Sequence, residues 1–212
     1  MANLTQRPGD LLVLIDIQID FCPGGALAVP EGDQVVPIAN RLAGHFSHVV
    51  LTQDWHPKNH RSFAGTHPGR QAFDTSDLGY GTQVLWPDHC VQGSSGAAFH
   101  PDLAATNAEL VLRKGFRPEI DSYSAFFEND RKTPTGLGGY VVERGFQRVF
   151  LVGLATDFCV AFTAEDARRC GLEAVVLLDG CRAIDQGGSL DAALRRMRTA
   201  GVTFGASQDV LG

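Results

Sequence analysis

Three residue types in this sequence, a cysteine, an aspartate and a lysine, could together perform nucleophilic catalysis. Asp16 and Lys114 each end an apolar run, and Cys159 lies a few residues into a predicted helix that follows a Gly-Leu-Ala-Thr-Asp turn. A helix N-terminus stabilises negative charge and would lower the pKa of the Cys159 thiol. Lys114 would add positive charge, and Asp16 could take the thiol proton and later give it to a leaving amine. The alternative is that Cys159 is a small buried hydrophobic residue, as most free cysteines are.

A second group of residues has the composition of a metal site. Asp54, His56 and His60 lie within seven residues in the segment DWHPKNH, and His89 in WPDHCV could supply a fourth ligand from the far end of a long loop. One carboxylate with three imidazoles suits one divalent ion such as Zn, Fe or Mn. The alternative is a set of surface histidines in a polar loop.

Other kinds of site are disfavoured by what the sequence lacks. No Gly-x-Gly-x-x-Gly segment follows the first apolar run, no Walker-type phosphate loop occurs, and no Gly-x-Ser-x-Gly elbow indicates a serine hydrolase. The net charge of −6, without a stripe of Lys and Arg, argues against a nucleic-acid partner. No apolar run is long enough to cross a bilayer, and the N-terminus does not resemble a signal peptide, so we expect a cytoplasmic protein without a membrane partner.

The elements that must position these residues form an alternating pattern of strands and helices. Continuous apolar runs predict buried parallel strands at Leu11–Asp16, Val49–Thr52, Leu110–Leu112, Val149–Val152, Val175–Leu178 and Val202–Phe204. Helical patterns lie at Gln34–Phe46, Thr135–Arg144, Thr156–Cys170 and Leu190–Ala200. The alternation predicts a single α/β domain over residues 1–212, with a doubly wound parallel sheet and a long loop at about 55–107.

The predicted sheet brings the candidate residues to one edge. Ligands of open α/β sheets bind beyond the carboxyl ends of the strands. Asp16, Asp54, Lys114 and Cys159 all follow predicted strands at that end. We therefore expect two carboxylates, an ammonium and a thiol to share one site.

The sequence also resembles a known family, the bacterial nicotinamidases, which belong to the isochorismatase-like cysteine hydrolases. The resemblance runs in order from about residue 11 to 179 through LLVLIDIQIDFCPGGALAV, LTQDWHPKNHRSF, LWPDHCVQGSSGAAFHPDL, LVLRKGF, IDSYSAFF and VGLATDFCVAFTAEDA. It implies the isochorismatase-like hydrolase fold, which has a six-stranded parallel sheet ordered 3-2-1-4-5-6 with helices on both faces. Strands 1 and 4 would then flank the crevice where ligands bind.

The resemblance also implies a role for each candidate residue. Asp16, Lys114 and Cys159 match the catalytic triad. A cis Leu154–Ala155 peptide bond would direct the N–H groups of Ala155 and Cys159 toward an oxyanion. The remaining matches are to metal ligands, at Asp54, His56, His60 and His89, and to the substrate pocket, at Phe21, Leu27, Trp86 and Tyr123. His60 matches a position that varies within the family.

The activity that the resemblance implies is hydrolysis of nicotinamide to nicotinic acid and ammonia through a cysteine thioester, in NAD salvage. Pyrazinamide would be a further substrate. We also expect that the protein can form a homo-oligomer.

Three other functions compete with this one. One rival is a cysteine hydrolase acting on a carbamoyl or ureido compound, which would not need Asp54, His56 and His89. A second is a metallohydrolase in which the metal activates water and Cys159 is structural. A third is a non-catalytic metal-binding module. Isochorismate hydrolysis is disfavoured because that branch of the family does not use the cysteine.

Overall fold

The centre of the molecule is a six-stranded parallel sheet. The structure is a computed structural model that describes residues 4–212, so the first three residues of the predicted domain lie outside it. The strands, in chain order, are β1 (Asp10–Ile15), β2 (Val49–Asp54), β3 (Thr75–Asp77), β4 (Thr82–Val84), β5 (Leu110–Lys114), β6 (Arg148–Leu154), β7 (Glu173–Arg182) and β8 (Thr203–Gly205). The sheet order β5-β2-β1-β6-β7-β8 confirms the predicted order 3-2-1-4-5-6.

The central strands are covered on both faces, as their apolar sequences require. Every residue of β1, β2 and β6 is buried. Parallel strands of this kind have no solvent-facing side and therefore show no alternation in sequence. At the edge of the sheet β5 is less covered, and Val111 is 46% exposed.

The helices that cover the sheet are α1 (Val35–His45), α2 (Leu137–Arg144), α3 (Ala161–Arg169), α4 (Ser189–Thr199) and α5 (Gln208–Leu211). The helix predicted from Thr156 to Cys170 is divided. Its first turn, Thr156–Val160, is a π-helix in which the Val160 N–H donates to the Ala155 carbonyl five residues back, at 3.1 Å, and α3 begins only at Ala161. Such π-turns occur often at functional sites.

The long loop predicted at about 55–107 is mostly irregular, but it contains a hairpin. Strands β3 and β4 pair antiparallel, with Thr75 opposite Val84. Three-residue strands are too short to show the alternation that predicts a strand, which is why the sequence did not reveal them. Across residues 4–212, no helix is both long and apolar enough to cross a membrane.

The carboxyl ends of β1 and β6 form the crevice that the strand order predicts. The two strands are neighbours, and Ile15 pairs with Gly153 at their last shared position. Asp16 follows one strand, and the turn that carries Cys159 follows the other. Strand β2 lies on the side of β1 away from β6 and ends at Asp54. Asp54 pairs with Lys114, the last residue of the next strand, β5.

Candidate active site

Lys114 lies at the centre of the predicted catalytic group. Its Nζ is 2.8 Å from Oδ2 of Asp16 and 3.4 Å from Sγ of Cys159, and it also contacts a carboxylate oxygen of Asp54. A further hydrogen bond, of 3.0 Å, runs to the carbonyl of Ser122. All five of these residues are buried. The structure thus brings together the carboxylate, ammonium and thiol that the sequence placed after three separate strands.

Asp16 has the surroundings of a group that exchanges protons near neutral pH. Burial raises the pKa of its carboxyl to about 6, helped by the nearby charge of Asp54 and opposed by Lys114. The Thr52 hydroxyl donates to Oδ1 of Asp16 at 2.6 Å and orients the carboxyl. A carboxyl with this pKa can accept a proton and return it within one catalytic cycle.

The pKa of the Cys159 thiol differs from the one that the sequence suggested. The expectation of a lowered thiol pKa is wrong, because burial raises the pKa of Cys159 well above its usual value and the charges of Asp16 and Asp54 raise it further. Lys114 opposes this effect without overcoming it. The resting thiol is therefore protonated at neutral pH, and attack by sulfur requires a base. Asp16 is placed for that task, because its carboxylate lies within 4.8 Å of the Cys159 sulfur.

The predicted metal ligands Asp54, His56 and His89 converge on one point. His56 Nε2 is 3.6 Å and His89 Nε2 is 3.9 Å from Oδ2 of Asp54. The Nδ1–H groups of the two rings face the carbonyls of Gly115 and Pro87, each at 2.8 Å. These bonds direct both Nε2 lone pairs toward Asp54, which is the usual support of a metal-binding histidine. Three buried donors of this chemistry fit a divalent cation.

The charge states of Asp54 and His89 suit a cation, whereas His56 must lose a proton to bind one, because burial lowers its pKa but the Asp54 carboxylate raises it above its usual value. Burial would raise the pKa of Asp54, but Lys114, His56 and His89 together hold it below its usual range. Burial lowers the pKa of His89 to about 4, so its imidazole is neutral at physiological pH. Asp54 is thus an anion and His89 a neutral nitrogen donor, the forms that bind metals.

His60 is placed differently from the other three predicted ligands. Its ring centroid is 4.5 Å from that of His56, yet its Nε2 faces the Ile120 carbonyl at 3.2 Å and its Nδ1 faces the Ser62 hydroxyl at 2.7 Å. His60 groups with His56 and Asp121 and not with Asp54 and His89. Ligation by His60 therefore stays a prediction, and Asp121 is a neighbouring carboxylate that the sequence reasoning missed.

Asp54 is held in place by a side chain that the sequence reasoning also missed. The completely buried Gln18 accepts from the Asp54 N–H at 2.8 Å and donates to the Asp54 carbonyl at 2.9 Å. The same amide donates to the carbonyl of Ala97. Gln18 therefore ties the end of β2 to the turn after β1, which carries Asp16.

A small cavity is lined both by Cys159 and by the predicted metal ligands Asp54, His56 and His89. The four pocket residues predicted from the sequence all line it, namely Phe21, Leu27, Trp86 and Tyr123. Its wall also includes Ala155, Phe158 and Ile184. Because Phe158 directly precedes Cys159, its position in the sequence could have indicated this role.

The aromatic residues of the wall pack edge to face and form a slot. The Phe158 ring lies 4.8 Å from Trp86 and 5.5 Å from Tyr123, with interplanar angles of 86° and 69°. The Trp86 indole N–H donates to the Tyr123 hydroxyl at 3.1 Å. A flat aromatic ring suits such a slot.

The peptide bond between Leu154 and Ala155 is cis, as the resemblance predicted. Ala155 and Cys159 both line the cavity. The predicted use of their backbone N–H groups as an oxyanion hole stays a prediction.

Residues 10–209 match the family model described as the isochorismatase domain. The chain is 54% identical over 209 residues to a nicotinamidase of Acinetobacter baylyi, and the match covers 99% of this chain and 98% of that protein.

Two solved structures extend the similarity to three dimensions. One is an Acinetobacter baumanii nicotinamidase and pyrazinamidase, with a TM-score of 0.95 and 54% identity, covering 97% of this chain and 99% of the other. The second, a pyrazinamidase of Pyrococcus horikoshii in complex with zinc, superposes with a TM-score of 0.75 at 33% identity and covers 94% and 99% of the two chains.

Proposed function

The chain belongs to the isochorismatase family, and we propose that within it the protein acts as a nicotinamidase, an amidohydrolase that converts nicotinamide to nicotinic acid and ammonia. The observation that carries the proposal is that Cys159, whose sulfur is in contact with Lys114, shares one aromatic-walled cavity with Asp54, His56 and His89. Lys114 in turn binds Asp16. Pyrazinamide is a second substrate, because it offers the same carboxamide on a similar ring. The names of the Acinetobacter relatives support both substrates.

The reaction begins with transfer of a proton from Cys159 to Asp16. Lys114 stabilises the resulting thiolate, since its Nζ lies 3.4 Å from the sulfur. The sulfur forms a bond to the carboxamide carbon, and the electron pair of the C=O bond moves to oxygen, where the N–H groups of Ala155 and Cys159 stabilise it. Asp16 then gives its proton to the amide nitrogen, so that ammonia leaves and a thioester remains.

The second half of the reaction uses the same carboxyl group. Asp16, again ionised, takes a proton from a water molecule that attacks the thioester carbon. The C–S bond breaks, the proton returns to the sulfur of Cys159, and nicotinic acid is released. The pKa of about 6 at Asp16 suits a group that must accept a proton twice and release it twice in each cycle.

The metal-binding residues serve substrate binding in this scheme. Asp54, His56 and His89 would hold one divalent ion, of which Zn, Fe and Mn all suit the donor set, and the zinc complex of the Pyrococcus relative supports zinc. When bound, the ion supplies a Lewis-acidic site for the pyridine nitrogen of nicotinamide. The aromatic slot then aligns the ring so that its carboxamide faces Cys159, and such orientation lowers a barrier by reducing the entropy that must be lost.

The test is release of ammonia from nicotinamide by the purified protein, with and without a chelator. We expect release by the untreated protein, a large loss after chelation and recovery when zinc is restored. Cys159→Ala should be inactive under every condition. Equal release by the Cys159→Ala variant would instead favour the metallohydrolase mechanism.

A further inference from the structure

Asp157 links the turn that carries the nucleophile to a distant segment of the chain. It lies two residues before Cys159 in the same π-helical turn, and it is buried. Its Oδ1 accepts from the Ile184 N–H at 3.1 Å, and its Oδ2 accepts from the Asp185 N–H at 2.9 Å and from the Ser189 hydroxyl. Buried carboxylates need hydrogen-bond donors, and these three all come from residues 184–189.

That segment supplies one wall of the cavity. It leads from the end of β7 to the start of α4, and it turns sharply because Asp185, Gly187 and Gly188 adopt left-handed backbone conformations. Only Ile184 of this segment lines the cavity. Because Asp157 binds the N–H of Ile184 itself, the distance of this wall from Cys159 depends on the carboxylate.

We propose that Ile184 determines which substituted rings the enzyme accepts and that Asp157 is the positioning residue that holds Ile184 in place. The inference rests on the proposed function, since it concerns the ring of the amide substrate. Elsewhere in the wall, Trp86, Tyr123 and Phe158 pack against one another and not through Ile184. Ile184 is therefore the side chain whose removal enlarges the cavity while this aromatic slot is kept.

The experiment compares nicotinamide with methylnicotinamides substituted at ring carbon 4, 5 or 6. The measured quantity is the ratio of kcat/KM for each methylated amide to kcat/KM for nicotinamide. One methyl group in an apolar pocket typically changes this ratio by roughly 10- to 200-fold. Ile184→Ala should raise the ratio at one or more ring positions by about tenfold or more.

Asp157→Asn should change the same ratio in the same direction, by a smaller factor. An asparagine keeps one acceptor but points an NH₂ group at an N–H donor, so the segment moves away and the KM for nicotinamide rises more than kcat falls. Asp179→Asn is the matched control. Asp179 also accepts from a backbone N–H and a hydroxyl, both of Ser207, but neither residue lines the cavity. The kcat/KM ratios of Asp179→Asn should equal those of the unmodified protein.

A purely structural role for Asp157 would lower activity on all substrates equally and leave the ratio unchanged. Unchanged ratios in both Ile184→Ala and Asp157→Asn would overturn the proposal, and Ile184→Ala keeps it testable if the Asp157 variant fails to fold. Dissociation constants of nicotinate and its methyl derivatives report on the same wall without turnover. Failure of the unmodified protein to hydrolyse nicotinamide would therefore overturn the proposed function and still leave this inference open to a separate result.

Discussion

The ammonium of Lys114 lies 2.8 Å from a carboxylate oxygen of Asp16, and neither side chain is exposed to solvent. Lys114 also contacts Asp54, so one cation is shared between a residue of the proposed catalytic group and a proposed metal ligand. The charge on Lys114 thus opposes the effect of burial on Asp16 and holds the pKa of Asp54 low. Changes at any of the three should alter the other two.

The first prediction is a pH limit set by Asp16. Its folded-state pKa is raised to about 6, so the carboxylate that must accept the thiol proton is lost as the pH falls below that value. We expect kcat/KM for nicotinamide to fall about tenfold for each pH unit below about 6. Asp16→Asn should lower kcat/KM by about 100-fold or more at every pH. Its pH profile should lack the acid limb, which is the fall in kcat/KM below about pH 6. A limb that persisted in Asp16→Asn would assign the titration to another group.

Replacing Lys114 should shift that limb. Lys114→Met keeps the length of the side chain but removes the charge that lowers the pKa of Asp16, so the acid limb should move above pH 6 and activity at pH 7 should fall. The variant also leaves Asp16 buried without its counter-ion, and removing one partner of a buried ion pair typically costs about 3–5 kcal/mol of unfolding free energy. Urea unfolding measures the loss of stability. The pH dependence of kcat/KM, measured where the variant is folded, gives the position of the acid limb. An unshifted limb would show that Lys114 does not tune Asp16.

The thiol of Cys159 should be indispensable. Cys159→Ala removes the nucleophile and should abolish hydrolysis of nicotinamide while the protein still binds nicotinate. Cys159→Ser should be almost as inactive, because a hydroxyl is a far weaker acid than a thiol and Asp16 would not deprotonate it. Ammonia release and calorimetric binding of nicotinate check the two statements. Turnover by Cys159→Ala near that of the unmodified protein would exclude covalent catalysis.

Gly115 should be required for metal binding although it supplies no metal-binding side chain. A Cβ at this position would lie 2.3 Å from Cε1 of His56, and its φ of +64° favours glycine. Gly115→Ala should therefore displace His56 and weaken zinc binding to the chelated protein by about 10- to 100-fold, the usual effect of losing such support.

Gly79→Ala is the control for the backbone strain of that substitution. Its φ is +82°, but no atom lies within 4 Å of the added Cβ. Both variants carry a left-handed residue at a cost of about 1–2 kcal/mol, but only Gly115→Ala should lose zinc affinity in a calorimetric titration. Equal affinities would show that the position of His56 does not depend on Gly115.

Long apolar runs and residues at strand ends predicted the parallel sheet and the edge where Asp16, Asp54, Lys114 and Cys159 meet. The strand order and the pocket residues followed from the resemblance to a known family. The sequence did not predict the pKa of Cys159, since a helix N-terminus is recognisable from sequence but the burial that dominates there is not. Gln18, Asp121 and Ile184 were missed for a related reason. Their roles depend on which distant backbone or side chain they meet, and no spacing along the chain encodes that contact.

The last prediction separates the two mechanism classes by asking what the metal does. The chain already provides a nucleophile and a base, so a metal-bound hydroxide would be redundant. Asp54, His56 and His89 line the same cavity as Ala155 and Cys159, so a ring nitrogen bound at the first group would hold the attached carboxamide near the thiol. Benzamide has the shape of nicotinamide but lacks the pyridine nitrogen, so it should be a much poorer substrate, and its slow hydrolysis should be nearly insensitive to a chelator.

His56→Ala should give the same pattern by removing a ligand instead of the ion. We expect a loss of zinc content, a loss of nicotinate affinity and slow hydrolysis of benzamide at the rate of the unmodified protein. The pairing of substrates matters, because a metal that activated water would affect both amides equally. If chelation leaves nicotinate binding intact and stops hydrolysis of both amides, the metal acts in the chemical step, and the metallohydrolase reading of this site is the correct one.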